Sequence, residues 1–315
     1  MQTISVVAAV LKDAQGRVLV TQRPAGKPLA GYWEFPGGKI ESGEQPFAAL
    51  QRELQEELGL DVQQARPLLQ LSHEYAEQRV ELDIWRVTRW SGVPCAHESQ
   101  AIAWVKPDEL SRRRLLPADT PVVQRLRLPP CMLVTPSPED ETGFLMTLER
   151  RLAEGREFVQ FRGPALPERQ YGVIAREVIR LCREYGARVV LNAEPELARQ
   201  LGADGAHLSR ARLGTLARRP LSQEFLIGAS CHEAADIRRA VQQSLDYVVL
   251  GAVRPTASHP GRKPLGWETF AELAAESSVP VYAIGGLTPA ELDTVRAQGG
   301  YGLAAMRALW QGTEN

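Results

Sequence analysis

The sequence predicts an α/β protein built from two domains, and three observations carry that expectation. At 315 residues the chain is longer than the roughly 250–300 at which a single core stops growing. Pro129-Pro130 breaks the pattern and the character of the sequence changes there, which sets domains over residues 1–129 and 130–315. Beyond the break, apolar β-rich runs alternate with helical stretches: CMLVT, EFVQF, RVVLN, GAHLS, FLIGAS, DYVVLG, VPVYAIG and YGLAAM. Continuous apolar strands separated by helices are parallel strands covered on both faces. That many units in so short a stretch predict a compact (β/α)8 barrel.

The elements of the first domain follow in order. Strands are expected over residues 4–12 and Val18–Gln22, with a turn at 13–16 between them. Residues 24–38 are rich in glycine and proline and read as a loop. A helix then spans Pro46–Leu58, because Pro46 has no N–H to lose in a first turn and Gly59 accepts the positive φ wanted just past the last one. Strands over 67–73, 80–90 and Ala101–Val105 precede a final helix over Thr120–Leu126.

Composition excludes several classes. Apolar content of 44% rules out a disordered chain, and a net charge of −1 spread along the length argues against a protein that coats nucleic acid. A small anionic substrate needs only a local patch and stays open. The four cysteines form no CxxC pair, which fits a reducing, cytoplasmic setting better than a disulfide or zinc framework. His73, His97, His207, His232 and His259 lack i, i+4 pairing, so no histidine metal site is expected. The apolar start is short and interrupted by Lys12 and Asp13, and reads as a strand with no signal peptide; no run reaches the ~20 residues that span a bilayer.

The helix at Pro46–Leu58 carries the chemistry. Phe47, Leu50, Leu54 and Leu58 form a stripe that can be buried, and Glu53, Glu56 and Glu57 form the stripe beside it. One reading is a solvated charged face. Such faces normally mix signs, whereas Glu53 and Glu57 are a like-charged i, i+4 pair costing a few tenths of a kcal/mol in isolation. The other reading is a hard divalent cation held by carboxylates beside a glycine-rich loop.

The spacing of Gly38, Glu44, Arg52, Glu53, Leu54, Glu56, Glu57, Gly59 and Leu60 resembles the Nudix box at every specified position. That resemblance covers about the first 128 residues and implies an α/β/α sandwich that cleaves nucleoside-diphosphate-linked substrates with Mg²⁺, or Mn²⁺ in its place. By the resemblance, Glu53, Glu56 and Glu57 with the carbonyl of Gly37 hold the metal, Arg52 orients Glu53, and Glu44 supports the edge. Thr21-Gln22-Arg23 and Glu34-Phe35-Pro36-Gly37-Gly38 look like the MutT-type diphosphatases that clear 8-oxo-dGTP. The same likeness makes Glu98 an additional catalytic or metal carboxylate. It also makes Arg23, Glu34, Phe35, Pro36, Gly37, Gly38 and Asp119 substrate-binding, with Phe35 packed on the purine.

Two positions depart from that pattern. Asp119 stands where it has Asn, and ionised Asp only accepts hydrogen bonds; a helix N-cap is the alternative reading of Asp119. Pro28 stands where His is frequent. Arg112-Arg113-Arg114 reads as a solvated loop or a further phosphate contact, and Trp33, Trp85, Trp90 and Trp104 as core or pocket wall.

Residues 131 to about 310 resemble thiamine-phosphate synthase and the related thiazole tautomerases, through LVTP, VQFR, GADGAHLS, IGASCH, DYVVLGAVRPT and AIGGL. Gly285 and Gly286, with the backbone near 304–306, would make a phosphate cradle. The synthases' phosphate-binding Lys and Mg²⁺ ligands are replaced by Gly163-Pro164, Asn192-Ala193-Glu194 and Ser209-Arg210. His232 stands where the tautomerases place an acid/base His; packing at a strand end is the competing reading. The expected function is Mg²⁺-dependent pyrophosphohydrolysis of 8-oxo-dGTP. The alternatives are a thiamine-related diphosphate substrate with a tautomerase barrel, or a non-catalytic ligand-binding barrel. The expected partner is a small nucleotide, with no nucleic acid and no membrane.

Overall fold

Strand β1 (Gln2–Val10) alternates its apolar residues between two cores. Val7 and Ala9 face one cluster, which also buries Leu11, Leu19, Leu50, Leu54 and Leu58. Ala8 and Val10 face another, with Val18, Val20, Ile84, Val122 and Val123. A strand buried on both faces by helices is the middle layer of an α/β/α sandwich. The structure, a computed structural model, describes residues 2–75, 77–98, 100–110, 112–256 and 263–312; His259 lies outside them.

The first unit continues with β2 (Val18–Gln22), the short β3 (Trp33–Glu34) and β4 (Gly37–Lys39), and helix α1 (Pro46–Leu58). Then come β5 (Asp61–Glu74), β6 (Gln78–Ser91), β7 (Ala101–Val105), the single turn α2 (Pro107–Leu110) and α3 (Thr120–Leu126). One sheet has the order β4-β1-β6-β5 and the other β3-β2-β7. Two expectations shift. The stretch expected to be loop holds β3 and β4, because Gly37 and Gly38 pair with Ala8 and Val7. Strand β5 starts six residues earlier than residue 67, because it follows β6 as a long antiparallel edge whose polar residues give no apolar signal.

The second unit is a closed barrel of eight parallel strands in the order β10-β11-β12-β13-β14-β15-β8-β9. The strands are β8 (Cys131–Val134), β9 (Phe158–Phe161), β10 (Arg188–Leu191), β11 (Gly205–Leu208), β12 (Leu226–Cys231), β13 (Tyr247–Gly251), β14 (Val281–Ile284) and β15 (Gly302–Ala305). Helices follow the strands: α4 (Glu141–Ala153), α5 (Glu168–Glu184), α6 (Pro195–Leu201), α7 (Arg210–Thr215), α8 (Ala234–Gln242), α9 (Gly266–Ala275), α10 (Leu292–Ala297) and α11 (Arg307–Trp310). Phe158, Tyr247 and Tyr282 fill the interior with Met132, Val134 and Val190. Gly228 on β12 makes room for them, since a Cβ there would overlap the Tyr247 ring.

The two units divide at 127/128, two residues before the expected 129/130 boundary. Leu128 is buried with the barrel interior. The Tyr282 hydroxyl donates to the Pro129 carbonyl at 2.6 Å and the Tyr301 hydroxyl to that of Leu128, so the entering segment is tied to the barrel.

Gly228→Ala should lower the barrel's stability by about 1–3 kcal/mol through overpacking, read as a lower denaturant midpoint by circular dichroism; an unchanged midpoint would contradict the packing described.

Candidate active site

Helix α1 begins with Pro46 and ends at Gly59, whose φ of 67° places it in the left-handed region. Leu50, Leu54 and Leu58 are fully buried, so the face beside them has a fixed direction. Arg52 lies on that face and gathers three carboxylates. Its Nε and Nη2 each donate to Glu44 at 3.0 Å, and its Nη1 donates to Glu53 at 2.9 Å and to Glu56 at 3.3 Å. Nη2 also reaches the Lys39 carbonyl at 3.0 Å, which ties the helix to the end of β4. The acidic stripe therefore has a counter-charge within its own helix.

The glycines opposite are there for space. A Cβ on Gly37 would overlap the Val7 carbonyl, and one on Gly38 would overlap the Glu53 carboxylate. Gly37 has φ +146° and its N–H donates to Glu57 Oε2 at 3.3 Å. Burial pushes the Glu57 carboxyl up to about 7, repulsion from Glu98, Glu34 and Glu53 adds to the rise, and the Gly37 N–H opposes it. Glu56 is the outlier of the trio, with a side chain 60% exposed.

Among the described residues no three His, Cys, Asp or Glu side chains converge as a ligand set. Glu53 and Glu56 are turned to Arg52 instead. The donor chemistry nonetheless fits a hard cation. Every candidate donor is an oxygen, and the repulsion felt by Glu57 is what a divalent charge relieves.

Glu98 lies near this face, its carboxylate paired with Lys27 Nζ at 2.6 Å. The segment carrying it is fastened to the end of α1: Cys95 N–H reaches the Leu58 carbonyl and His97 N–H the Glu57 carbonyl, each at 3.0 Å. Neither Lys27 nor Gln100, which also bonds to this segment, was singled out from the sequence; an exposed Lys and a lone Gln give no signal of their own.

A second group forms around Asp119. Its carboxyl is 2% exposed and accepts the Phe35 N–H at 3.2 Å. Asp119 stands at the N-cap position of α3, as the alternative reading had it, but its side chain makes no cap bond; the carboxyl points back to the β3–β4 connection. Burial pushes it up to about 8, with Glu34 adding repulsion. Glu34 is itself raised by burial and held by Arg23, whose Nε also donates to the Pro28 carbonyl at 2.7 Å. Tyr75 adjoins, bonded by the Ala118 backbone and within the field of Asp119, Arg23 and Glu34. The Phe35 ring is 3% exposed and belongs to the core, so it is the backbone of Phe35 that meets this group. Pro36 accepts the Ala9 N–H at 2.8 Å and fixes the loop to β1. Arg113 and Arg114 are not simply solvated; they stack over Trp33 and Tyr32, each 4.2 Å from the ring centre. Trp85, Trp90 and Trp104 pack against the core.

At the C-terminal ends of the barrel strands, His232 Nδ1 lies 2.6 Å from the Gly251 carbonyl. A carbonyl only accepts, so Nδ1 carries the proton and Nε2 keeps its lone pair in the neutral ring. His207 is 1% exposed, with Nε2 2.8 Å from Ser230 Oγ and Nδ1 3.3 Å from the Tyr247 hydroxyl. Burial pushes His207 down to about 3 and keeps it neutral. Gly285 and Gly286 have φ of 111° and 66° at the end of β14, where a Cβ on Gly285 would meet Ala252.

The sandwich, with carboxylates on one helix facing a glycine loop, defines a phosphoanhydride hydrolase, and the eight-stranded barrel is a second unit with its own polar mouth. A family model described as NUDIX domain matches residues 7–125, and one described as thiamine monophosphate synthase matches 131–309. The first unit is 40% identical over 124 residues to the CTP pyrophosphohydrolase of Escherichia coli, covering 39% of this chain and 91% of the relative. It is 34% identical over 127 residues to the 8-oxo-dGTP diphosphatase of the same organism, covering 40% and 98%. The barrel is 30% identical over 181 residues to the putative thiamine-phosphate synthase 2 of Aquifex aeolicus, covering 58% and 97%. The chain belongs to the Nudix hydrolases through its first unit and to the thiamine monophosphate synthase family through its barrel. Among the described residues no helix is long and apolar enough to cross a membrane.

Asp119 ionises near 3.8 in an unfolded chain and near 8 here, so the native state holds the proton more tightly and stability is lost as pH rises from about 4 through about 8. Asp119→Asn should remove that loss, leaving the variant roughly 2–5 kcal/mol more stable than the parent at pH 9 and little changed at pH 4. Denaturant unfolding at both pH values checks it. Gly38→Ala should displace the Glu53 carboxylate and cut hydrolysis at least about tenfold with little change in melting temperature, measured by steady-state turnover beside a thermal melt.

Proposed function

We propose that the first unit hydrolyses a nucleoside triphosphate to the monophosphate and pyrophosphate, with 8-oxo-dGTP as substrate and Mg²⁺ as metal. The observation that carries the base choice is the buried Asp119 carboxyl. Held neutral at physiological pH beside Glu34, it offers one donor and one acceptor, as the amide of Asn would. An 8-oxoguanine presents a donor N7–H next to the acceptor O6, and a neutral carboxyl complements both. Unoxidised guanine presents two acceptors there, only one of which the carboxyl serves. The likeness to the 8-oxo-dGTP diphosphatase supports the same reading.

The residues divide the work. Glu53, Glu56, Glu57 and the Gly37 carbonyl would hold the cation, which neutralises phosphate charge and acidifies a bound water. Arg52 holds Glu53 and Glu56 in place, and Glu44 holds Arg52. Glu98 lies near Glu57, placed to orient the attacking water. Arg23 and Glu34 set the near wall of the base pocket, with Pro36, Gly37 and Gly38 as its floor. Water attacks phosphorus, the bond to the bridging oxygen breaks, and pyrophosphate leaves.

The likeness to the CTP pyrophosphohydrolase supports a second reading, in which a cytosine nucleotide meets the same carboxyl. For the barrel, the fixed tautomer of His232 supports proton transfer at Nε2, in keeping with a thiazole tautomerase, and Gly285 and Gly286 would receive the phosphate. Gly163-Pro164, Ala193-Glu194 and Ser209-Arg210 stand where synthase activity would want other groups, so condensation is not proposed. A thiamine-related diphosphate is the remaining substrate candidate for the first unit.

Purified full-length protein with Mg²⁺ should release pyrophosphate from 8-oxo-dGTP at least about tenfold faster, by kcat/KM, than from dGTP, CTP or thiamine diphosphate. Glu53→Gln and Glu57→Gln should each reduce that rate by about 100-fold or more with an intact circular dichroism spectrum. Full activity in both variants would end the assignment, and a preference for CTP would move it to the second reading.

A further inference from the structure

Gln100 stands immediately before β7 and is 7% exposed. Both ends of its side-chain amide are used. Its Oε1 accepts the Glu98 N–H at 2.8 Å, and its Nε2 donates to the Glu57 carbonyl at 3.1 Å. That carbonyl also accepts the His97 N–H at 3.0 Å. His97 Nδ1 lies 3.2 Å from the Glu56 carbonyl, where it can only donate. The last carbonyls of a helix have no partner within it, and here the segment bearing Glu98 supplies them. Two acidic groups from distant parts of the chain are thereby joined through backbone. Glu57 comes from α1, Glu98 comes from the segment before β7, and the amide of Gln100 spans the gap between their main chains.

We propose that Gln100 is a positioning residue for hydrolysis: its amide fixes the backbone of Glu98 to that of Glu57, so that the two carboxylates face one shared cation and its phosphate. The proposal rests on the hydrolase reading of the first unit and adds to it. The geometry requires a donor and an acceptor at the end of one buried side chain. Ionised Glu at this position would accept from Glu98 but set a negative charge against the Glu57 carbonyl. An apolar residue would leave a backbone N–H without its partner. Lys27 is the present occupant of the Glu98 carboxylate, 2.6 Å away, which shows that the carboxylate is held in the open side of the segment and is reachable by a cation.

A helix cap alone would also explain the Nε2 bond, and the test separates the two roles. A cap supports the fold whatever stands at position 98, whereas a positioning residue matters only while the Glu98 carboxylate is present. Full-length Gln100→Glu, Glu98→Gln and the double variant form a cycle. In the parent background Gln100→Glu should lower kcat about 10–100-fold and change KM less than about threefold, as loss of a supporting contact does. In the Glu98→Gln background it should change kcat less than about twofold. The same cycle is run on Mn²⁺ binding without nucleotide, by water-proton relaxation, where Gln100→Glu should raise the binding midpoint several-fold only if Glu98 is present. Should Gln100→Glu fail to fold, as shown by its thermal melt, Gln100→Asn, whose amide is one methylene short, carries the cycle instead. Coupling in either cycle upholds the proposal, and additivity in both overturns it. If the parent releases pyrophosphate from none of the nucleotides, the substrate reading falls, and the Mn²⁺ cycle alone decides the role of Gln100.

Discussion

The site is organised by one electrostatic constraint: several carboxylates must stand within reach of one another without flying apart. Arg52 is the means. Its planar guanidinium holds both oxygens of Glu44 and one each of Glu53 and Glu56, and a further bond to the Lys39 carbonyl anchors it to the strand side. A lysine would present one compact charge and lack the fork that serves this many partners at once. Glu57 holds its proton more tightly because it is buried, and repulsion from Glu98, Glu34 and Glu53 adds to that. Arg52 supplies part of the positive charge, and the oxygen donors around it are of the kind a hard cation takes.

Backbone geometry completes the arrangement. Gly37 and Gly38 let β4 come so close to β1 and α1 that any side chain would collide with the Val7 carbonyl or the Glu53 carboxylate. The same close approach puts Phe35 into the core and leaves its N–H to meet Asp119. Burial then does to Asp119 what substitution by Asn would do chemically, since a neutral carboxyl and an amide share one donor and one acceptor. The departure from the related diphosphatases is therefore smaller in hydrogen-bonding terms than in formal charge.

The barrel is closed around an aromatic core. Its interior is sealed by Phe158, Tyr247 and Tyr282, with Gly228 sized to the tyrosine ring. His207, itself 1% exposed, meets Ser230 and the Tyr247 hydroxyl, and His232 is fixed by the Gly251 carbonyl.

The sequence by itself determined the two-domain division, the barrel, the helix over Pro46–Leu58 and the identity of its acidic residues. Those features are written in local periodicity, in Pro and Gly at helix ends, and in fixed spacing along one helix face. It did not determine the span of β5, whose polar edge residues form strand only because β6 pairs with them. Nor did it determine the burial of Phe35, the partners of Arg113 and Arg114, or the place of Gln100 and Lys27. Each of these depends on a contact between segments far apart in the chain; Gln100 reaches back 43 residues to Glu57. Such contacts leave no periodic trace, because a single hydrogen bond is specified by where two backbones meet, and only the folded sandwich decides that.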